Sequence, residues 1–269
     1  MPLKLDRMEV EDVAWTPEQR AAAVHYQLGD IPGPIPVHAI ARALDIYEIR
    51  EKPLRNFEGY LQTDAERSAG AILVNSHSSY VRRRYTVGHE LGHFLCPWHR
   101  NTEAGGFRCT KSDMTVAEGE ADHLRQEKEA NRFAIELLAP GRLLRKHLRR
   151  LPELERVVEI ASELEISKTA AARCYVDRHG ETLAALFLRH DRFIYAHRGP
   201  SFPWLPFNRD QPIPTLPALP TGSNLSEMVE ADPEDWLGVG GFGELALQVL
   251  RQEDGHAIIL LHIARAAED

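Results

Sequence analysis

The pentapeptide His89-Glu90-Leu91-Gly92-His93 limits more than any other feature what this chain can fold into. Arg84-Tyr85-Thr86-Val87-Gly88 precedes it and Phe94-Leu95 follows, so it reads as the middle of a largely apolar, buried helix. One helical turn separates His89 from His93, which therefore share a face and can direct their imidazole nitrogens at one ion. Glu90 lies about 100° round the helix, aside from the ligand face but within reach of a water at the ion. It is the candidate general base of a metal-assisted hydrolysis.

A catalytic Zn²⁺ takes three protein ligands and keeps one open position, so two histidines predict a third ligand elsewhere. Ala130, Phe133, Ala134, Leu137 and Leu138 recur at helical spacing and define a second amphipathic helix that would pack on the first. Glu127 and Asn131 share a face of it. Glu127 is the best third ligand, with Asn131 one turn on as oxygen acceptor for the second ring nitrogen of His89 or His93. Glu129 is rotated away, and Glu118 and Glu120 lie in a more polar stretch and rank lower.

Before these helices, Trp15-Thr16-Pro17-Glu18 has the form of a helix start with Thr16 as N-cap, and the helix would end near Gly29. A short helix over 37–44 and strands over 46–49, 57–62 and 71–75 follow, giving a small sheet ahead of the HELGH helix. An exposed edge of such a sheet can take an extended substrate as an added strand. Gly59, Tyr60 and Leu61, or Leu73, Val74 and Asn75, are the candidates for that edge.

Beyond residue 150 the pattern changes. Residues 151–181 read as short helices, with Ala161 to Ser167 turning into Lys168-Thr169-Ala170-Ala171, and have the form of a helix-turn-helix. Six acidic residues against four basic ones between Leu151 and Arg178 leave that unit at −2, poor for phosphate contacts. Residues 182–269 read as a small α+β module: strands over 182–188 and 193–196, a helix over 243–250 and a strand over 256–263. Pro200 to Pro233 carries eight of the seventeen prolines, as a surface wrap or a mobile lid.

Two stretches together resemble the ImmA/IrrE metallopeptidases: Arg82-x-Arg84-Tyr85-Thr86-Val87-Gly88-His89-Glu90-Leu91-Gly92-His93, and Glu127-x-x-Ala130-Asn131-x-Phe133-Ala134-x-x-Leu137-Leu138-Ala139-Pro140. Ala71-Ile72-Leu73-Val74-Asn75 resembles that family's strand leading into the active-site helix. Gly88 stands where Ala is common and Ala139 where Met is common; neither change removes a ligand or a base. The resemblance implies one zinc ion per chain on His89, His93 and Glu127, with Glu90 as base. It also implies a zincin-like α+β peptidase core over 1–150, a helix-turn-helix unit after it, a sensory C-terminal module, and a cytoplasmic bacterial or phage enzyme that cleaves a helix-turn-helix repressor.

Composition bounds the rest. A chain of 269 residues with 43% hydrophobic content can build a large core or two to three small ones. An odd number of cysteines, Cys96, Cys109 and Cys174, and no signal-peptide pattern point to a reducing cytoplasm. The cysteines read as buried residues without a metal role. No apolar run, that over 257–261 included, approaches the length of a membrane span. A net charge of −8 argues against general nucleic-acid affinity; Arg82-Arg83-Arg84 and the stretch from Arg142 to Arg150 are local basic exceptions, read first as solvated helix faces and second as a docking patch for an acidic partner. The partner expected is a protein substrate that itself binds DNA, with no direct DNA contact by this chain. The competing expectation is a non-proteolytic transcription regulator or anti-repressor that uses the zinc structurally, although such a site needs no Glu90.

Overall fold

The computed structural model describes residues 3–12, 15–100, 106–109, 121–238 and 243–264. The fold is mixed α+β and divides into two units, Met1–Leu143 with Glu163–Ile166, and Leu144–Ser162 with Ser167–Asp269.

The first unit begins with α1 (Arg7–Asp12), α2 (Pro17–Leu28) and α3 (Val37–Ala43). Thr16 caps α2 as its sequence indicates: its hydroxyl accepts from the Gln19 amide at 3.2 Å, while the Gln19 side chain accepts from the Thr16 amide at 3.1 Å. Strands β1 (Ile46–Lys52), β2 (Gly59–Thr63) and β3 (Gly70–Asn75) precede α4 (Tyr80–Leu95), and β4 (Gly106–Cys109) precedes α5 (Ala121–Leu138). The sheet order is β1-β3-β2-β4, with β1 parallel to β3 and the other pairs antiparallel. Helix α4 packs on β2, β3 and α5, and α2 also packs on α5. Ala130, Phe133, Ala134, Leu137 and Leu138 are all fully buried, so the periodicity that defines α5 is its core face.

This order corrects the expected substrate edge. Gly59, Tyr60 and Leu61 lie on β2, paired with β3 and β4, while Leu73, Val74 and Asn75 lie on β3, paired with β1 and β2. None of the six is at an edge, because the short strand β4 covers the side of β2 that the preceding sequence left open. Among the described residues, β1 and β4 are the outer strands.

Helix α6 (Gly141–Leu148) spans the chain position at which the first unit gives way to the second. Helices α7 (Leu154–Leu164) and α8 (Lys168–Arg178) follow, joined by a short turn, and all but 163–166 of this pair falls in the second unit with the C-terminal sheet. That sheet comprises β5 (Thr182–Arg189), β6 (Arg192–Arg198), β7 (Val229–Ala231), β8 (Leu245–Arg251) and β9 (His256–Ile263), with the short helix α9 (Pro233–Leu237) before β8. Its order is β6-β5-β9-β8-β7, antiparallel throughout.

The segment expected as a helix over 243–250 is instead strand β8. It lies between β9 and β7 and is buried on both faces, so it shows a continuous apolar run without alternation, which periodicity cannot separate from a buried helix. Gln248 in its middle is satisfied on every side, donating to Glu155 and to the Ser226 carbonyl at 3.0 Å and accepting from the Leu154 amide at 2.6 Å. The proline-rich stretch is a wrap: Phe202 and Leu205 are buried in one core with Leu186, Leu247 and Ile259.

Candidate metal centre

Helix α4 starts at Ser79, whose hydroxyl accepts from the Arg82 amide, and from Thr86 to Leu95 every residue is buried. His89, Glu90 and His93 are wholly inaccessible, and Glu127 from α5 is 1% exposed. Close approach of the two helices depends on Gly92: a Cβ there would stand 3.1 Å from Ala130 Cα and 3.2 Å from its carbonyl oxygen.

Three side chains converge. His89 Nε2 lies 3.2 Å from Glu127 Oε2, His93 Nε2 lies 3.3 Å from Glu127 Oε1, and the two Nε2 atoms are 3.2 Å apart. Donors at about 2.0–2.1 Å from a tetrahedral ion stand about 3.3 Å from one another, so the two imidazole nitrogens, each facing a different oxygen of the Glu127 carboxylate, are spaced as ligands of one such ion would be. Glu127 Oε2 is buried without a hydrogen-bond donor. His89, His93, Glu127 and Cys109 form a buried group whose ligand atoms lie within 4.8 Å of one another, an arrangement that could hold a metal.

The rings are fixed from behind. His89 Nδ1 donates to Asn131 Oδ1 at 3.0 Å, and the Tyr85 hydroxyl donates to the same oxygen at 2.6 Å. This tautomer leaves the Nε2 lone pair for a metal. His93 Nδ1 is 3.0 Å from His99 Nδ1, and His99 Nε2 donates to Glu129 Oε2 at 2.9 Å. Trp98 Nε1 donates to the same carboxylate at 2.5 Å. Glu129 is therefore two residues removed from the centre, acting on His93 through His99. Burial, reinforced by the charge of His93, pushes His99 down to about 2, which keeps it neutral and able to accept from one side and donate on the other. His99 was not among the residues expected at the site: only the turn at Cys96-Pro97 carries it back behind His93, and nothing in the spacing announces that.

Electrostatics follow the same geometry. Burial opposes ionisation of Glu127, but His93 and His89 outweigh it and hold its carboxyl far below the usual range. At His89 burial opposes the charged form, yet the Glu127 carboxylate prevails and raises its pKa; at His93 burial prevails and lowers it. Glu90 is different. Burial pushes its carboxyl up to about 8, opposed by His89 and by the Cys109 thiol beside it. Neither Glu90 oxygen has a well-formed hydrogen bond, so that thiol is a weak partner at most. Gly59 leaves Glu90 its present position, since a Cβ there would come 2.3 Å from Glu90 Oε1 and 2.5 Å from Thr86 Cγ2.

Residues 43–174 match the model of the IrrE N-terminal-like domain of the peptidase M78 family. The chain carries an ImmA/IrrE family metallopeptidase domain. No curated protein matches the chain. A solved structure described as a Mycobacterium tuberculosis transcriptional regulator is similar in fold, with a TM-score of 0.54, 9% identity, and coverage of 94% of this chain and 89% of that one.

Other groups singled out in the sequence lie elsewhere. The run Arg82-Arg83-Arg84 is not a basic surface: Arg84 is 4% exposed and donates to the Ile35 carbonyl at 2.9 Å, with Glu165 as counter-ion at 3.3 Å. Arg83 is likewise engaged, 3.1 Å from Glu51. Neither nearby tyrosine of α4 points its hydroxyl at the centre: that of Tyr80 donates to Glu165 at 3.0 Å and that of Tyr85 to Asn131. Tyr60 lies against Gly106. His123, one turn before Glu127 with Nδ1 3.7 Å from Glu127 Oε1, is at the site and partly exposed. Glu118 and Glu120 fall outside the described residues. No helix among the described residues is long and apolar enough to cross a membrane.

Proposed function

We propose that the protein is a zinc-dependent endopeptidase that cleaves a regulatory protein, a helix-turn-helix transcriptional repressor, and so relieves repression. The observation that carries this reading is the buried group of His89 and His93 Nε2 atoms, 3.2 Å apart and each 3.2–3.3 Å from an oxygen of the Glu127 carboxylate, with Glu90 buried beside it. Zn²⁺ bound there supplies a Lewis acid that brings the pKa of a water toward neutrality and polarises the scissile carbonyl. Glu90 takes the proton of the attacking water and returns it to the leaving amine. His123 is the proposed oxyanion donor, and Asn131 and His99 hold the two imidazoles in the tautomer that ligation needs.

Support for a repressor as substrate comes from the family resemblance, and a link to transcription from the fold neighbour, itself a transcriptional regulator. Incubating the purified protein with a candidate repressor, with and without a chelator, tests the reading. Cleavage should require metal, and Glu90→Gln should lower it by several orders of magnitude while metal content stays at about one ion per chain. Substantial proteolysis by a verified Glu90→Gln preparation would remove Glu90 from its role.

Cys109 favours a second reading. A thiol beside two histidines and a glutamate could fill the fourth position and close the site, as structural zinc sites are closed, and the protein would then act on transcription by binding alone. Metal retained without any chelator-sensitive cleavage would support it.

A further inference from the structure

We propose that Cys109 is the fourth protein ligand of the resting metal centre, and that β4 must leave β2 before a substrate strand can take its place. The inference rests on the metallopeptidase reading above. Cys109 lies in β4 opposite Gly59 on β2, fully buried, with Sγ within 4.8 Å of the His89, His93 and Glu127 donor atoms. In a tetrahedral site, sulfur at about 2.3 Å and nitrogen at about 2.0–2.1 Å from the ion are about 3.6 Å apart, so the thiol has at most about 1 Å to travel. Two residues earlier, Phe107 stacks on the His93 ring at 4.6 Å, so β4 lies directly over the ligands. Burial alone does not produce this: Cys96 is as deeply buried and is outside the group.

Ligation breaks the Sγ–H bond, forms an Sγ–metal bond and releases the proton to solvent, with no change of oxidation state. The occupied fourth position leaves no place for a substrate carbonyl. Freed of β4, the backbone of Gly59–Gln62 becomes a true edge, ready to pair with an extended segment of the substrate. The six residues expected at an edge are not equivalent in this scheme: β2 becomes one, whereas β3 stays covered by β1.

The full chain loaded with Co²⁺ decides the matter without reference to cleavage. Wild type should show thiolate-to-cobalt charge-transfer absorption, and the zinc form a sulfur neighbour at about 2.3 Å by X-ray absorption. Cys109→Ala should keep about one metal per chain, lose both signals, and bind acetohydroxamate, read from the cobalt spectrum, about tenfold or more tightly than wild type. Cys96→Ala, the control, should change none of these. Metal held by wild type without a sulfur neighbour overturns the inference and leaves the peptidase reading intact. Loss of metal from a folded Cys109→Ala makes the thiol a structural ligand and overturns the latency. Failure of wild type to hold metal at all sinks the underlying reading; the wild-type measurements stand even if the variant does not fold.

Discussion

Glu90 holds its carboxylate where a side chain on Gly59 would stand. Gly59→Ala is expected to displace Glu90 while leaving the ligand triangle in place, so cleavage of a repressor substrate should fall by about 10²-fold or more with metal content unchanged. Metal analysis beside the rate measurement separates this from a general loss of structure. A different outcome is expected at His99, which touches His93 but no substrate: His99→Ala should weaken metal affinity about 10–100-fold, and Glu129→Ala less, as measured by competition with a chromophoric chelator. Unchanged affinity in His99→Ala would make the contact incidental. His89, Glu90 and His93 were legible in the sequence because helical spacing sets their faces, and Glu127 because it shares a face with Asn131 on a second amphipathic helix expected to pack on the first. His99 and Cys109 were not, because a turn and a strand pairing bring them in, and neither leaves a periodic mark.

At the level of elements, the centre is a joint between α4 and α5. Gly92→Leu would place a side chain where Ala130 backbone and Phe133 Cβ already stand 3.1–3.2 Å from a Cβ position. It should cost about 1–3 kcal/mol of stability and weaken metal retention by drawing Glu127 off the histidines, checked by denaturant unfolding and metal analysis on the same preparation. Stability lost with metal retention unchanged would show that the joint tolerates separation. The two helices were readable from their apolar faces. The sheet was only half readable: β2 alternates and β3 is a short apolar run, but β4 is four residues in a glycine-containing stretch, too short to show a period, and its omission misplaced the edge. Strand β8 was misread for the opposite reason, since burial on both faces erases alternation.

For the molecule as a whole, recognition of one protein among many needs surface beyond the buried centre. Arg145, Lys146 and Arg149 on and just after α6 are exposed, unlike the arginines that open α4. Reversing these three to Glu should slow cleavage of a folded repressor, more at low salt than at high, and leave cleavage of a short peptide spanning the scissile bond little changed. Equal losses on both substrates would assign the effect to the fold instead of to docking. The charge pattern pointed to this stretch, but it pointed equally to Arg82-Arg83-Arg84; sequence shows that a charge is present, and only packing shows whether it faces water.

The contact between Gly59 and Glu90 also joins two positions that are 31 residues apart into one heritable unit. A side chain at the first crowds the second, so a lineage that acquires one there must move the base. Among descendants of a common ancestor, loss of the glutamate should therefore release the glycine, and chains that have given up proteolysis for binding should be recognisable by drift at both places together.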